Sequence, residues 1–289
     1  PSDVPATMGQ PGAFTSFFGP DPLNLLGVVI LTSLGTWGLP QMIGKFYAIK
    51  DEKSINTGTV ISTLFAIVIS GGCYFLGGFG RLFDSAEIYN AETGAVVYDS
   101  IIPSMLSKLP DILIGIVVVL VLSASMSTLS SLVLTSSSTM TLDLLKDNIM
   151  KEMSEKKQII TMQILIVFFI VVSVVIALDP PTFIAQLMGI SWGALAGAFL
   201  APFLYGLYWK GVTRAGVWAG FIAGVGITVS NMFIGYIASP INAGAAAMVA
   251  GLVIVPLVSL VTPKLKKEDV DEIFTCYEEK VVSTKKRNL

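Results

Sequence analysis

The residues of this 289-residue chain with the clearest capacity for chemistry are uncharged. From Ser123 to Thr141 the sequence reads SASMSTLSSLVLTSSSTMT, and twelve of these nineteen positions carry a hydroxyl. In a helix Thr128 lies one turn beyond Ala124, beside its carbonyl, and Ser127 sits about 100° round from Thr128. Two hydroxyls and a carbonyl then converge on one small volume, and such hard oxygens suit a hard cation rather than a soft metal. Three oxygens do not complete a coordination shell, so the rest must come from another helix. The same hydroxyls have a plainer use: bonding back to carbonyls four residues earlier, or joining helices. Abundance alone leaves both readings open.

A second unusual stretch is Gly35-Thr-Trp-Gly38-Leu-Pro40. Pro40 lacks a backbone donor and crowds the carbonyl of Thr36. In lipid, freed backbone groups are tolerated only inside protein or beside a polar cavity. A broken helix at mid-depth is either a binding site, with Gly35 and Pro40 at its break, or an ordinary proline kink.

Other chemistry is excluded by what the chain lacks. It contains no His, which removes the commonest general base and the Ser–His nucleophile pairs. Cys73 lies in an apolar run and Cys276 in a charged tail, so neither a metal spacing nor a disulfide is expected. The net charge of −2 gives no reason to expect a nucleic-acid partner.

The elements that must position these residues follow from composition. Hydrophobic residues make up 53% of the chain and charged residues 13%, with a mean hydropathy of +0.77. Soluble proteins carry about a quarter charged residues. The chain is therefore read as an all-α membrane protein in contact with a lipid bilayer. Seven runs are long enough for a bilayer core of ~30 Å: 23–49, 57–79, 111–142, 159–178, 183–208, 214–236 and 241–262. The third is long for a simple span, so it tilts or projects beyond the lipid. β-Barrel strands would alternate in ~10-residue units, which these runs do not.

Placing the C-terminus in the cytoplasm leaves only Arg81 and Lys108 of the 18 Lys and Arg outside, as the positive-inside rule requires. Residues 1–22 form an outer segment, 23–263 the transmembrane domain and 264–289 a solvated cytoplasmic tail. Localisation is the plasma membrane, multi-pass. Loop 80–110, with Asp84, Glu87, Glu92 and Asp99, is expected to hold a short helix over the outer mouth. Pro1 in place of an initiator Met is expected for a piece of a longer protein. Gly189, Gly193 and Gly197, and again Gly216, Gly220 and Gly224, recur every four residues, a spacing that lets helices approach closely. No Asp, Glu, Lys or Arg falls in the middle of a span, where proton-driven carriers place a titratable group. Either the protein moves nothing, or it handles ions with neutral oxygens.

Three separated stretches carry a resemblance. Tyr98-Asp-Ser-Ile-Ile-Pro103, Leu109-Pro110 and Ala124-Ser-Met-Ser127-Thr128-Leu-Ser-Ser131 through Ser137-Ser-Thr139-Met-Thr-Leu-Asp143 resemble the signature of the sodium/solute symporter family. Gly38-Leu-Pro40-Gln-Met-Ile-Gly-Lys45-Phe-Tyr-Ala-Ile49 is similar to its proline branch, and Tyr208-Trp-Lys210-Gly-Val-Thr-Arg214-Ala-Gly216 matches a further family pattern. The resemblance covers roughly residues 20–263. It implies the second half of a leucine-transporter-type inverted-repeat fold plus two extra C-terminal helices. The first repeat, a missing N-terminal half of the same protein, would complete it.

The resemblance further implies a sodium site at the Ala124 carbonyl and the hydroxyls of Ser127 and Thr128. The proline branch uses an aromatic pair for substrate at the positions of Thr32 and Thr36, with Trp37 adjacent. Here the pocket is smaller or more polar, which leaves open which small-molecule solute is carried: an amino acid-like compound or an organic anion. Sodium, bound from outside, would pin the third span and complete the solute site beside Gly35–Pro40, with alternating access moving both inward. A retinal receptor would need a lysine in 241–262, and a membrane enzyme would need intramembrane acids or bases; neither is there. The alternative is a transporter-like membrane sensor without coupled transport.

Overall fold

A computed structural model of the chain describes residues 18–19, 21–46, 49–83, 85–94 and 96–277, the side chains of Glu52, Arg81 and Glu87 excepted. Most of the outer segment, Asp84, and the tail beyond 277 with Lys280, Lys285, Lys286 and Arg287 lie outside the described residues. The described residues are predominantly helical. The helices are α1 (Pro22–Gly35), α2 (Pro40–Phe46), α3 (Glu52–Gly78), α4 (Ile101–Leu106), α5 (Asp111–Ser138), α6 (Glu155–Leu178), α7 (Ile184–Tyr208), α8 (Arg214–Ile234), α9 (Pro240–Val261) and α10 (Lys267–Phe274). Six are long and apolar enough to cross a membrane, and the bent pair α1–α2 makes a seventh. The protein is an all-α membrane protein.

Local sequence sets the helix ends. Pro22 opens α1 behind Asp21, whose carboxylate accepts the Asn24 N–H at 3.1 Å. Asp51 caps α3 by accepting both the N–H and the hydroxyl of Ser54, each at 2.7 Å. Those bonds favour the ionised form and hold its carboxyl below the ordinary carboxylate value. Thr213 caps α8 through the Gly216 N–H at 3.1 Å. At the far end Gly235 takes φ +68°, a left-handed closure that suits glycine.

The third apolar run does not stop at the expected membrane boundary. α5 continues as an 11-residue π-helix, Thr139–Ile149, so the whole helical rod spans Asp111–Ile149. π-Helix is ordinarily confined to single turns.

The described residues form two compact units, residues 49–184 and residues 21–46 with 185–277. In the first, α6 packs back along α5 and its π continuation. All of α3 from Lys53 to Gly78 is exposed, and α6 buries no residue. Helices apolar on all sides and left uncovered have lipid or further protein as their natural surroundings. The connection after α3 is ordered by short-range bonds: Val97 N–H donates to the Ile88 carbonyl at 2.7 Å, and the Ser85 and Ser104 hydroxyls pair at 2.9 Å. It carries the short helix α4. Within the same unit Asp99 accepts the Ile184 N–H at 3.1 Å, and the Tyr98 and Phe183 rings lie 5.2 Å apart.

The second unit is the tightly packed part. Leu31, Ala196, Leu200, Ile241 and Met248 form its buried core. Both glycine stripes lie in helix–helix contacts, as their spacing predicts. A Cβ on Gly193 would fall 2.5 Å from the Gly244 Cα, and one on Gly224 would fall 2.2 Å from the Gly197 carbonyl. One on Gly220 would meet the Val255 side chain at 2.3 Å. No side chain fits at these crossings.

Within the tail, the described residues include the short helix α10. α10 is held by a 2.7 Å ion pair between Lys210 and Asp271, and the Lys210 ammonium lies 5.4 Å from the centre of the Phe274 ring. Lys210 holds the Asp271 carboxyl below its ordinary value.

Two outcomes follow. Gly224→Leu should destabilise the protein by about 1–3 kcal/mol through overpacking, whereas Gly226→Leu, with open space around it, should leave the thermal midpoint in detergent nearly unchanged. The lowered Asp271 value means that its contribution is complete above the ordinary carboxylate range and is lost as pH falls through the lower folded value. The protection factors of the α10 amides, taken against the intrinsic exchange rate at each pH, should therefore fall on acidification, and Asp271→Asn should abolish that fall.

Candidate functional site

The hydroxyl-rich half of α5 divides into two kinds of residue. Ser130, Thr135, Ser137 and Ser138 donate to carbonyls of their own helix at 2.7, 2.8, 2.7 and 3.0 Å. That is the plain use of such side chains. Ser123, Ser125, Ser127, Thr128, Ser131 and Ser136 make no side-chain hydrogen bond to any described residue, and all six are exposed. The first four are consecutive in the hydroxyl series, whereas Ser131 and Ser136 lie among the paired ones. In hydrocarbon an unpaired hydroxyl is costly, and Ser123–Thr128 is the longest stretch of the series in which none is paired.

Ala124 and Thr128 line one open hollow together with Ser125, Leu129 and Leu132. Ser127, next in sequence to Thr128, is not part of that lining. The structure thus brings two of the three expected ligands to one place and sets the third beside it on the same helix surface. Ser125 is the hydroxyl that spacing arguments missed, although it lies three residues before Thr128 and so shares its side of the helix. The hollow offers neutral oxygens alone: among the described residues no group of three or more Cys, Asp or Glu side chains could hold a metal. Farther along the rod Thr141 is fully buried, and its hydroxyl has no partner.

The second candidate region lies on the other unit. α1 ends at Gly35, a 3₁₀ turn runs from Thr36 to Gly38, Leu39 is extended, and α2 restarts at Pro40 with a bend of 54°. The break that Pro40 and the two glycines imply is present. Thr32 donates to the Val28 carbonyl at 2.8 Å and Thr36 to the Ser33 carbonyl at 3.3 Å, while Ser33 donates to Val29. The hydroxyl protons are thus used locally, and the oxygens remain acceptors. Thr32 and Thr36, one turn apart, are both half-buried, whereas Trp37 and Pro40 are exposed.

Gly35 is buried, and a Cβ there would lie 3.2 Å from both the Trp192 ring and the Met248 methyl. Gly38 is closer still, with a Cβ only 2.7 Å from the Ala196 Cα. The break is therefore seated directly on α7. Trp192 is an aromatic group beside the break that sequence reasoning did not select. Its neighbour Gly193 belongs to a packing stripe, so nothing in the pattern separates it from core.

The geometry defines a class: a helical, multi-span membrane protein with a broken helix and a surface of unspent hydroxyls in place of charged groups. Comparison with known proteins narrows it. The model of the sodium:solute symporter family matches residues 9–224, and the chain belongs to that family. It is 32% identical over 199 residues to a sodium/pantothenate symporter of Haemophilus influenzae, an alignment covering 68% of this chain and 40% of that protein. It is 28% identical over 258 residues to a sodium/proline symporter of Staphylococcus aureus, covering 85% of this chain and 49% of that protein. The chain thus spans less than half the length of these relatives. No solved structure matches it.

Proposed function

We propose that this chain is part of a symporter that couples inward movement of sodium to uptake of a small organic solute by alternating access. The observation that carries this reading is the set of unspent oxygens on α5. Sodium is a hard cation that needs oxygen ligands, and Thr128 with the Ala124 carbonyl and the neighbouring Ser127 would provide three. The remaining ligands would come from the part of the transporter that this chain does not span. Family membership and relatives with sodium in their names support the choice of ion.

Sodium entering from outside releases about 2.3 kcal/mol per charge per 100 mV of membrane potential. Sodium raises solute affinity only to the extent that it favours the conformation that binds solute, and the effect is reciprocal. In this reading α1–α2, α3, α5, α6 and α7 form one five-helix repeat of an inverted-repeat fold, and α8 and α9 are additions. The protein is placed in the plasma membrane with its C-terminus cytoplasmic, because the basic residues then cluster inside. Solute binds at the α1–α2 break near Thr32, Gly35, Thr36, Trp37 and Pro40. Transport requires no bond to be made or broken, and the reading includes no enzymatic step.

Uptake by the full-length protein in vesicles, with labelled proline and pantothenate as first probes, tests both assignments. Thr128→Ala should raise the sodium concentration for half-maximal uptake about tenfold, equivalent to about 1.4 kcal/mol, at unchanged protein abundance. Thr128→Ser should retain most of the sodium response. An unaltered sodium dependence in Thr128→Ala removes the site assignment. Thr36→Trp should raise the solute KM several-fold while leaving sodium activation in place; uptake kinetics indifferent to that change put the pocket elsewhere.

A further inference from the structure

The order of α10 leaves part of its surface unaccounted for. Val270, Ile273, Phe274 and Tyr277 follow the i, i+3, i+4, i+7 spacing of a single helical stripe, with Tyr277 carried by the 3₁₀ turn Thr275–Tyr277. One flank of the stripe is covered: Val270 and Phe274 are half-buried, and Lys210 reaches across to Asp271 and the Phe274 ring. The other flank is bare, with Ile273 69% and Tyr277 58% exposed. Glu268, Asp269 and Glu272 occupy the rest of the surface.

The anchors of α10 fix its level. Lys210 follows Tyr208, the last residue of α7, by two positions. Thr213, three residues further, accepts or donates a 2.7 Å bond with the Thr262 hydroxyl, and its N–H donates to the Ser259 hydroxyl at 3.2 Å. The turn after α7 is thereby locked to the end of α9. Residues 262–266 connect α9 to α10 and span at most roughly 18 Å even when fully extended. The end of α9 presents bare apolar side chains, Leu257 at 57%, Leu260 at 64% and Val261 at 83% exposure. An apolar surface of this kind at the end of a span suits acyl chains. The Lys210 clamp after α7 and the short link after α9 hold α10 beside the ends of two spans.

We propose that α10 is an interfacial helix whose Ile273–Tyr277 flank rests in the headgroup and acyl boundary of the bilayer while Lys210 clamps its other flank to the protein. The occupant is lipid because α10 is held beside the ends of two spans with its apolar flank bare, and because amphipathic segments bind membranes through such a face. The polar face is acidic, so attachment is apolar rather than electrostatic and does not require anionic lipid.

Site-directed nitroxide labelling of the full-length protein tests this directly. Cys73→Ser and Cys276→Ser remove the native thiols, and single labels go at Ile273→Cys, Tyr277→Cys, Glu268→Cys and Glu272→Cys. The protein is placed in vesicles of phosphatidylcholine alone and with phosphatidylglycerol. The ratio of oxygen to nickel-chelate accessibility should be several-fold higher at 273 and 277 than at 268 and 272 in both lipids. Equal ratios at all four positions place the helix in water, and exclusion of both reagents at 273 places it against protein; either result overturns the proposal. Hydrogen exchange provides a check independent of labelling. In vesicles, amides 267–277 should exchange several-fold faster in Ile273→Ser and at the unsubstituted rate in Ile273→Trp, and the same rate in all three forms also overturns it.

Discussion

A hydrocarbon surrounding offers no hydrogen-bond partner, so every polar atom that a span carries must be used by the protein or reserved for what it binds. α5 obeys this rule unevenly. Its distal hydroxyls on Ser130, Thr135, Ser137 and Ser138 are absorbed by the helix's own carbonyls. Its proximal ones on Ser123, Ser125, Ser127 and Thr128 are not, and neither are those of Ser131 and Ser136. Beyond Ser130 paired and unpaired hydroxyls are interspersed, and within α5 only the stretch Ser123–Thr128 has none paired.

The second unit shows how a broken helix is kept at a fixed place in such a solvent. Pro40 and the 3₁₀ turn loosen the backbone between α1 and α2, and Gly35 and Gly38 let the loosened turn sit against Trp192 and Ala196. The block beneath it is rigid because Gly193 faces Gly244 and Gly197 faces Gly224 with no side chain between them. Weak hydrophobic drive between helices in lipid makes such backbone contact the main source of cohesion. A break held this way has a well-defined position and exposed neighbours, Trp37 and Pro40.

Much of this was legible in the sequence because lipid simplifies the problem. Long apolar runs with so few charges admit only helices, and glycine at every fourth position marks where they touch. The break at Gly35–Pro40 followed from covalent facts about proline. What stayed hidden depends on tertiary placement. Nothing in the spacing of Ser123–Thr141 indicates which hydroxyls turn back on their own helix, and although Ser125 stands three residues before Thr128, spacing does not show that a hollow opens on that side. Trp192 looks like core until Gly35 is found against it. The extension of α5 as a π-helix to Ile149 carries no periodic signature, and the docking of α10 rests on Lys210, 61 residues away from Asp271 in sequence.

The central claim is that α5 reserves neutral oxygens for sodium, and equilibrium binding of radioactive sodium to the full-length protein, without any solute, addresses it most directly. The account predicts that replacing both Ser127 and Thr128 by Ala abolishes saturable binding, while replacing Ser130, whose hydroxyl is already spent on Met126, leaves it close to the unsubstituted level. Saturable binding that survives the double replacement, or that is lost equally with Ser130, would contradict it.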